Sequence, residues 1–430
     1  MKSLSSSLDK IRARSICSAL HLGLATSMLT TGFAGCFVSN GWAQEAKPEY
    51  TISEKAMQIH RKAYVFDGHN DLPWEIRKFS KRFDDCDISK PQPKLHTDIE
   101  RLRKGNVGAQ YWSVYVPAET MRAGVAYRTT VEQIELVHAM VKRYPDVFQL
   151  CLTSEDIEKA RQAGKIASLI GMEGGHSIED SIQNLRRLYE MGARYMTLTH
   201  SDTLAWADAA TDQSKHDGLS PFGEEVVREM NRLGMLVDIS HVSPATMHDA
   251  LDISTAPVIF SHSSARSIAD HPRNVPDDVL KRLPQNGGVV MINFYSGFVV
   301  PKSAAIMKEM FQVRRELQAK YPDDKEKMER EYKQWQVKNP YPAGEATILA
   351  DHIEHVIKMA GIDHVGLGSD YDGISTAPRG MEDVSTYPLI TEMLVQRGYS
   401  EEDIHKVLYK NALRVLREAE VAAKKLRATP

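Results

Sequence analysis

The sequence is poor in cysteine and has no excess of basic residues. Of its four cysteines, only Cys86 and Cys151 lie beyond the N-terminal segment, and they lack the spacing of a zinc site. A disulfide between them is left open, because the sequence does not show whether they meet. The formal net charge is −3 and the first 43 residues carry a net +3, so the rest of the chain carries about −6. Such an acidic body argues against nucleic acid as a partner, since nucleic-acid binding needs a basic face.

Long apolar stretches are also scarce, and only residues 16–38 form one. They follow a basic start and lead to Gly41-Trp42-Ala43, which resembles a small-x-small cleavage site. We therefore expect residues 1–43 to be a signal peptide that directs the protein to the periplasm. The alternative is a lipoprotein box at Phe33-Ala34-Gly35-Cys36, with a lipid on Cys36 as the membrane attachment. The C-terminal residues lack a hydrophobic tail signal, so we expect no lipid anchor at that end.

Residues 44–430 contain eight short runs of apolar, β-branched or aromatic residues, separated by stretches with helix signals. Ser220-Pro221 and Ser243-Pro244, for example, each combine a hydroxyl cap with proline at the first helical position. None of the runs alternates cleanly between apolar and polar residues, which is typical of strands buried on both faces of a parallel sheet. The pattern predicts a single domain over residues 44–430, a (β/α)8 barrel of the TIM type. The predicted strands are residues 62–66, 109–116, 167–172, 193–199, 235–240, 257–261, 288–295 and 364–369.

A charged insertion at about residues 301–345 separates the seventh and eighth runs. Its central part, residues 308–338, contains nine basic and seven acidic side chains. We expect one or two solvated helices there, because interleaved charges usually mark an exposed helix surface. A lid over the active site is the alternative, since loops at this end of a barrel carry function.

Histidines and acidic residues follow several of the predicted strands. His69 and Asp71 come after the first run, Glu173 after the third, and His241 and His262 after the fifth and sixth. Barrel enzymes build their sites at the carboxyl ends of the strands, and neighbouring strands lie about 4.8 Å apart, so these side chains can share one point. Imidazole and carboxylate ligands with an open position for water make a hydrolytic metal site. Because Glu173 has two oxygens, it could bridge two metals.

Two further candidate residues also follow predicted strands. His200 follows the fourth run and Asp370 follows the eighth. Asp370 could be a metal ligand or the base that takes a proton from water. We expect the nearby Asp372 to face solvent, because it lies two residues further from the strand.

Six motifs, in this order, resemble the membrane (renal) dipeptidase family. The resemblance runs from about residue 63 to the C-terminal helices. It implies a barrel enzyme that hydrolyses dipeptides to free amino acids and tolerates a D-residue at the C-terminal position. The motifs are Phe66-Asp67-Gly68-His69-Asn70-Asp71-Leu72-Pro73-Trp74, Met172-Glu173-Gly174-Gly175-His176-Ser177, Leu198-Thr199-His200-Ser201, Asp238-Ile239-Ser240-His241-Val242-Ser243, Ser261-His262-Ser263-Ser264-Ala265-Arg266 and Arg273-Asn274-Val275-Pro276-Asp277-Asp278.

The resemblance also implies two zinc ions per chain. His69 and Asp71 match the ligands of one ion, and His241 and His262 match those of the other. Glu173 matches the carboxylate that bridges both ions.

Other matches imply roles next to the metals. Asp370 matches the residue that handles the proton of the attacking water, and His200 matches the one that stabilises the developing oxyanion. Arg273 matches the residue that holds the terminal carboxylate of the substrate, a task that suits a guanidinium because it can pair with both oxygens. Tyr295, at the end of the seventh run, is added as a substrate-binding residue.

Two other functions are left open at this point. One is another metal-dependent amidohydrolase on the same barrel, such as a lactonase or an N-acyl amino acid hydrolase. The other is a non-catalytic barrel that binds peptide or metal. For Arg273, the alternative is a surface ion pair with Asp277 or Asp278. The native metal, and the choice between monomer and homodimer, are also open.

Overall fold

The computed structural model describes residues 50–79, 83 and 85–428. Within these residues, nine strands pair in parallel in one sheet. The strands are β1 (Val65–Asn70), β2 (Val107–Ser113), β3 (Phe148–Leu150), β4 (Ile166–Glu173), β5 (Ala193–Thr197), β6 (Leu236–Asp238), β7 (Ile259–Ser263), β8 (Val289–Ile292) and β9 (Val365–Leu367).

Eight of these strands close into a barrel. The sheet runs in the order β2-β1-β9-β8-β7-β6-β5-β4, and β4 pairs back onto β2, with Ala109 opposite Ala167 and Ser113 opposite Gly171. Strand β3 pairs with the start of β4, beside the part of β4 that pairs with β5. The predicted (β/α)8 fold is confirmed.

The predicted strands all occur, but two details of the prediction were wrong. The first strand begins at Val65 rather than Lys62, because Lys62 is the last residue of the preceding helix. His69 and Asn70 therefore lie inside β1 and not beyond it. Strand β3 was not predicted, since a three-residue strand is too short to show a periodic pattern.

Helices surround the barrel, and the predicted caps begin two of them. The Ser220 hydroxyl accepts a hydrogen bond from Gly223 N, and the Ser243 hydroxyl accepts one from Thr246 N. The α-helices of the described residues are α1 (Glu54–Lys62), α2 (Leu72–Phe79), α3 (Ile99–Lys104), α4 (Glu119–Arg122), α5 (Ala126–Arg143), α6 (Ser154–Gln162), α7 (Ile182–Glu190), α8 (Pro221–Leu233), α9 (Pro244–Ile253), α10 (Asp277–Leu280), α11 (Leu283–Asn286), α12 (Ser296–Val299), α13 (Pro301–Lys320), α14 (Lys325–Lys338), α15 (Thr347–Ala360), α16 (Pro388–Gln396), α17 (Glu401–His405) and α18 (Asn411–Ala428). Two 3-10 turns span Gly175–Ile178 and Ile362–His364, and a π-helical turn spans Lys406–Lys410.

The strands are buried on both faces. Along β4, Ile166 and Ile170 pack in one apolar cluster, while Ala167 and Leu169 pack in a second cluster that includes α18. This double burial explains why the strand sequences do not alternate with polar residues. Packing on both faces also fixes the positions of the strand ends, and with them the side chains that follow the strands.

The charged insertion forms two helices, α13 and α14, which pack against each other and are called the hairpin below. Most of its side chains are exposed, as predicted, but Met307, Met328 and Tyr332 are buried. Its Phe311 lines the cavity at the carboxyl ends of the strands. The expected pair of solvated helices is therefore present, and α13 also contributes Phe311 to the wall of that cavity.

Some predictions fall outside the described part of the chain. These are the signal peptide, its cleavage near residue 43, and the lipid on Cys36. Among the residues that the structure describes, no helix is both long and apolar enough to cross a membrane. Cys86 and Cys151 are both buried and are free thiols, so the disulfide left open above does not form between them.

Candidate metal centre

Five predicted ligands lie together at the carboxyl ends of four strands. His69 lies in β1 and Asp71 directly follows it, Glu173 ends β4, His241 follows β6, and His262 lies in β7. All five residues are buried. The structure thus brings together side chains that are nearly 200 positions apart in the sequence.

Two glycines allow the strands to approach closely enough. A Cβ atom at Gly68 would lie 2.4 Å from the Ser261 carbonyl oxygen, and one at Gly368 would lie 1.9 Å from the same atom. Any larger residue would therefore push β7 away from β1 and β9. The close approach leaves the rings of His69 and His262 with centroids 3.9 Å apart.

Glu173 lies between two pairs of these residues. Its Oε2 is 3.4 Å from His69 Nε2, which is itself 3.2 Å from Asp71 Oδ2. Its Oε1 is 3.1 Å from His241 Nε2 and 3.6 Å from His262 Nε2. Each carboxylate oxygen therefore faces a separate pair of potential ligands, which is the arrangement a bridging carboxylate requires.

The ligand atoms within each group are close enough to share an ion. His69, Asp71 and Glu173 form one group whose ligand atoms lie within 4.8 Å of one another, and Glu173, His241 and His262 form another. A third group joins His69 and His262 to Asp370, so the geometry leaves Asp370 open as a ligand.

The donor set fits a metal because its free atoms face inward. His69 Nδ1 is engaged by the Tyr195 hydroxyl at 2.8 Å, on the side of the ring away from the other ligands. His69 Nε2 and Asp71 Oδ1 are buried without a hydrogen-bond partner among the described residues. Such orphaned buried polar atoms are costly unless something else binds them. Nitrogen and oxygen ligands of this kind suit zinc and related divalent ions.

Electrostatics favour a positive charge at this point. Burial disfavours the charged form of His69, yet Tyr195, Glu173 and Asp71 raise its pKa well above the usual value. Burial also opposes the ionised form of Glu173, but the neighbouring histidines outweigh it and hold the Glu173 pKa well below normal. The buried carboxylates therefore favour a positive charge at this point, either a second proton on His69 or a bound cation.

The second histidine pair is held neutral. Burial lowers the pKa of both His241 and His262 well below the usual value. Their Nε2 atoms lie 2.8 Å apart, so they point at the same place. His241 also has φ 66°, a left-handed conformation that is uncommon for residues other than glycine and that often marks functional positions.

Asp370 lies at the edge of the same centre. Its φ is also 66°, and its Oδ2 accepts a hydrogen bond of 2.8 Å from Asn293 Nδ2. Burial raises the pKa of its carboxyl to about 8, and the negative charges of Asp71 and Glu173 add to the rise. A carboxyl group in this environment can hold and release a proton near neutral pH.

Arg273 is buried, and some of its guanidinium hydrogen-bond donors are unpaired among the described residues. Its side chain lies over the Phe298 ring, 5.4 Å from the centroid, and its Nη2 donates to His262 O at 3.3 Å. Nε and Nη1 have no hydrogen-bond partner among the residues that the structure describes. The alternative ion pair was wrong, since Asp277 pairs with His355 and Asp278 pairs with His248.

His200 and Tyr295 both line the cavity. His200 Nε2 lies 3.5 Å from Glu173 Oε1, and its Nδ1 lies 2.7 Å from the Ser201 hydroxyl. Tyr295 presents its ring to the cavity, while its hydroxyl lies 2.8 Å from that of Tyr341. Both residues are thus where the sequence placed them, although Tyr295 offers mainly an aromatic surface.

Asp372 corrects a prediction, because it does not face solvent. Its side chain is 1% exposed, Oδ1 accepts a hydrogen bond from His96 N at 2.7 Å, and its own backbone N–H donates to His96 Nδ1. The left-handed φ angles of Asp370 and Asp372 turn this segment inward. Asp372 therefore fixes the loop around His96.

A cavity of about 460 Å³ connects these residues. That volume suits a small ligand. Several lining residues were not identified from the sequence, although Trp74 and Ser201 had a signal, because they belong to the His69 and His200 motifs. The lining residues that sequence analysis missed include Trp74, Tyr115, Phe298, Phe311 and Ile374.

Solved structures share this fold. The probable dipeptidase PvdM from Pseudomonas aeruginosa is 23% identical and has a TM-score of 0.75 over 86% of this chain and 98% of its own. A metallo peptidase from Rhodobacter sphaeroides, liganded with a phosphinate mimic of the dipeptide L-Ala-D-Ala, is 22% identical, with a TM-score of 0.68 over 83% of this chain and 99% of its own. The dipeptidase AC, a metallo peptidase, is also 22% identical, with a TM-score of 0.69 over 83% and 98% of the two chains. At this level of identity the matches support the barrel fold.

The family is shown by the sequence itself. Residues 53–430 match the model of the family described as membrane dipeptidase, peptidase family M19. This match covers the whole barrel and the hairpin, and it confirms the predicted family and the predicted dipeptide-hydrolysing metalloenzyme. The chain belongs to the membrane dipeptidase family.

Proposed function

We propose that this dipeptidase binds two zinc ions through His69, Asp71, Glu173, His241 and His262. The observation that carries the proposal is the position of Glu173, whose two oxygens face two separate ligand pairs. When bound, ions in such a site supply Lewis acidity that activates water and polarises the peptide carbonyl.

Asp370 handles the proton in this proposal. With Oδ2 bound to Asn293, the other oxygen is left to take a proton from the attacking water. The same carboxyl then gives the proton to the leaving amine, which completes hydrolysis without a net change in the enzyme. The position of Asp370 supports this role, because its carboxyl lies within ligand distance of His69 and His262 and lines the cavity.

His200 stabilises the negative charge that develops on the carbonyl oxygen. Burial lowers its pKa, so the ring is neutral. If the Ser201 hydroxyl donates to Nδ1, Nε2 carries the ring proton and points toward Glu173. A donor fixed in this way toward an oxyanion contributes about 3 to 4 kcal/mol to transition-state stabilisation.

Arg273 anchors the free carboxylate of the substrate. Its unpaired Nε and Nη1 can make two hydrogen bonds to one carboxylate, and its buried position makes them strong. The distance from this anchor to the metal centre then selects substrates with one residue beyond the scissile bond. Tyr295 and Phe298 provide the aromatic wall beside that residue.

We further propose that the C-terminal residue of the substrate can be a D-amino acid. Support comes from the Rhodobacter sphaeroides structure, which holds a mimic of L-Ala-D-Ala. We also propose export to the periplasm through residues 1–43, with a lipid on Cys36 as the alternative. Cell fractionation of the full chain beside a Cys36→Ser variant distinguishes a soluble periplasmic protein from a lipoprotein.

The central experiment combines metal content with substrate profiling of the protein. We expect two zinc ions per chain and faster hydrolysis of dipeptides than of tripeptides or N-acyl amino acids. Arg273→Ala should lower kcat/KM for dipeptides by at least about 30-fold, since removing one partner of a buried charge pair costs about 2 to 5 kcal/mol. A dipeptide amide serves as the control, because it has no carboxylate to lose.

Two results would contradict the proposal. A chain that binds fewer than about one zinc ion under saturating metal is not the expected metalloenzyme. An Arg273→Ala variant that hydrolyses dipeptides as well as the parent would favour an amidohydrolase that does not hold a carboxylate.

A further inference from the structure

Two buried aspartates outside the proposed ligand set have matching surroundings. Asp67 lies in β1 and Asp238 ends β6, and neither is exposed to solvent. The two strands lie on opposite sides of the barrel, with three strands between them in either direction. A buried carboxylate is costly unless it is well hydrogen-bonded, so the partners of each one indicate its role.

Asp67 connects β1 to β9. Its Oδ1 accepts hydrogen bonds from His69 N at 3.3 Å and from Ser369 N at 2.8 Å. Its Oδ2 accepts from the Ser369 hydroxyl at 2.7 Å and from the Tyr387 hydroxyl at 2.8 Å. The carboxylate thus fixes the backbone of His69 and of the residue directly before Asp370.

Asp238 connects β6 to β7 in the same way. Its Oδ1 accepts from Ser240 N at 3.0 Å and from Ser261 N at 2.9 Å. Its Oδ2 accepts from the Ser261 hydroxyl at 2.6 Å and from the Thr197 hydroxyl. This carboxylate fixes the residue directly before His241 and the residue directly before His262.

The two arrangements correspond atom by atom. In each, one oxygen receives the N–H two residues later and the N–H of a serine on the neighbouring strand. The other oxygen receives the hydroxyl of that serine and a further hydroxyl. We call each aspartate and its serine a carboxylate clamp. Hydrogen bonds to a charged acceptor are stronger than neutral ones, so each clamp holds two strand ends in register.

The clamps differ in the second contact that the serine hydroxyl makes. Ser261 Oγ lies 2.7 Å from His262 Nδ1, whereas Ser369 Oγ lies 3.3 Å from the backbone oxygen of His69. An ionised carboxylate only accepts hydrogen bonds, so the single Ser261 proton is directed to Asp238. Ser261 Oγ must then accept from His262, which places the ring proton on Nδ1. Nε2 is left with its lone pair, and it faces Glu173 Oε1 at 3.6 Å.

We propose that Asp238 and Ser261 are positioning residues that fix the ring and the tautomer of His262 for metal binding, whereas Asp67 and Ser369 fix backbone only. This inference rests on the proposed function, because it takes His262 as a metal ligand. Outer hydrogen bonds of this kind orient a ligating histidine and raise its basicity. The serine of the other clamp provides a matched control within the same molecule.

The test compares Ser261→Ala with Ser369→Ala. Each variant removes one hydroxyl from one clamp, so both should lower the unfolding temperature of the metal-free protein by similar amounts. Zn²⁺ affinity is then measured by competition with a chromophoric chelator. We expect Ser261→Ala to weaken the affinity by about 10- to 100-fold, the usual effect of removing an outer partner. The Zn²⁺ affinity of Ser369→Ala should stay within about threefold of that of the parent, because no hydrogen bond among the described residues joins the Ser369 hydroxyl to an imidazole ring.

Asp238→Asn gives a second, independent measurement. The asparagine amide cannot accept all the hydrogen bonds that the carboxylate accepts, so it should release the Ser261 hydroxyl and weaken Zn²⁺ binding as well. If Asp238 acts through Ser261, the double variant should bind no more weakly than Ser261→Ala alone, and independent, additive losses would overturn the proposed connection. If Ser261→Ala does not fold, the Zn²⁺ affinity of Asp238→Asn alone decides, and an unchanged affinity overturns the inference.

The outcomes separate this inference from the proposed function. Equal losses of Zn²⁺ affinity in Ser261→Ala and Ser369→Ala would show that the clamps are structural supports only, and an unchanged affinity in Ser261→Ala would also overturn the inference. A parent protein that itself binds no Zn²⁺ would instead contradict the proposed function.

Discussion

The strand ends that form the base of the cavity and the hairpin that completes one side of it are held by different forces. At the strand ends, Glu173, His69 and His262 are buried and hydrogen-bonded to residues of other strands or strand ends. In the hairpin, Phe311 reaches the cavity from a helix whose surface is mostly exposed.

The contacts at the outer surface of the hairpin are individually weak. Lys308 pairs with Asp270 at 2.9 Å, but the two side chains are 55% and 75% exposed. Arg315 donates to Thr211 O at 3.0 Å, also at the surface. Exposed contacts of this kind contribute little to stability, whereas a buried polar group that loses its partner is costly. The candidate metal ligands therefore lie in the buried region, and the hairpin contributes to the cavity from the exposed side.

The largest effect that distinguishes the two regions is expected at Glu173. Glu173→Gln removes the charge that both ligand pairs share, so kcat should fall at least about 1000-fold, more than the loss of any outer partner. Metal content, measured by mass spectrometry of the dialysed protein, should fall with it. Glu329→Gln is the matched control in the hairpin, where the carboxylate is exposed and pairs with Arg314 at 3.5 Å. Similar losses in both variants would mean that the two regions do not differ as described.

The next largest effect is expected on acidification, which should lower the stability of the buried region through His352. His352 is fully buried, accepts a hydrogen bond from Ala265 N at Nδ1 and donates from Nε2 to Val299 O. Burial lowers its pKa to about 4, below the usual value of 6.5. Above pH 6.5 the ring is neutral in the folded and unfolded chains alike, so its full contribution is present. As the pH falls toward 4, the unfolded chain takes up the proton first, and stability is lost.

This site alone should lower the free energy of unfolding by about 3 kcal/mol between pH 7 and pH 4. Urea unfolding of the metal-free protein at several pH values measures the loss. His352→Gln should be less stable at pH 7 but should show a shallower dependence on pH. An unchanged slope in this variant would assign the acid sensitivity to other groups, such as His176 and His271, whose pKa values burial also lowers, to about 4 and about 3.

Phe311 tests whether the hairpin shapes specificity. It lines the main cavity and also a second one of about 590 Å³, together with Tyr115, Ser201 and Thr211. Phe311→Ala should join the two spaces and raise kcat/KM for substrates with bulky side chains, relative to Ala-Ala, by about tenfold, since a few methylene groups in a pocket are worth this much. Zinc content should not change.

Val337→Ala is the control for that experiment. Val337 lies on the same hairpin, is 75% exposed and does not line either cavity in the described residues. Its substrate preference should equal that of the parent. If Phe311→Ala shows the same preference too, the hairpin does not contribute to specificity.

The same contrast explains what could be predicted from the sequence. The strand ends were predictable because each ligand follows an apolar run, and the order of the runs determines which ends meet. Glu173 and His241 therefore lie at the strand ends where the pattern placed them, and His262 lies one residue before the end of β7 rather than beyond it. Asp372 was mispredicted, because the left-handed φ angles of Asp370 and Asp372 reverse the direction that an extended chain would take.

Other features depend on packing that no local pattern shows. Arg273 looks like a surface residue beside two aspartates in the sequence, and only the packing of Phe298 and β7 buries it. Phe311 is a single aromatic residue among interleaved charges, so neither charge nor periodicity marks it as part of a cavity. The carboxylate clamps require the register of β1 with β9 and of β6 with β7, which the sequence does not specify.

The smallest effect is expected for the surface contact that holds the hairpin. A double-mutant cycle with Lys308→Ala and Asp270→Ala should give a coupling energy of about 0.2 to 1 kcal/mol at low salt. The coupling should vanish in 1 M NaCl, because the charges are exposed and screened. Chemical denaturation of the four proteins at both salt concentrations measures it. A coupling above about 2 kcal/mol that persists at high salt would mean that the hairpin is held as firmly as the strand ends, and the contrast between the two regions would then be wrong.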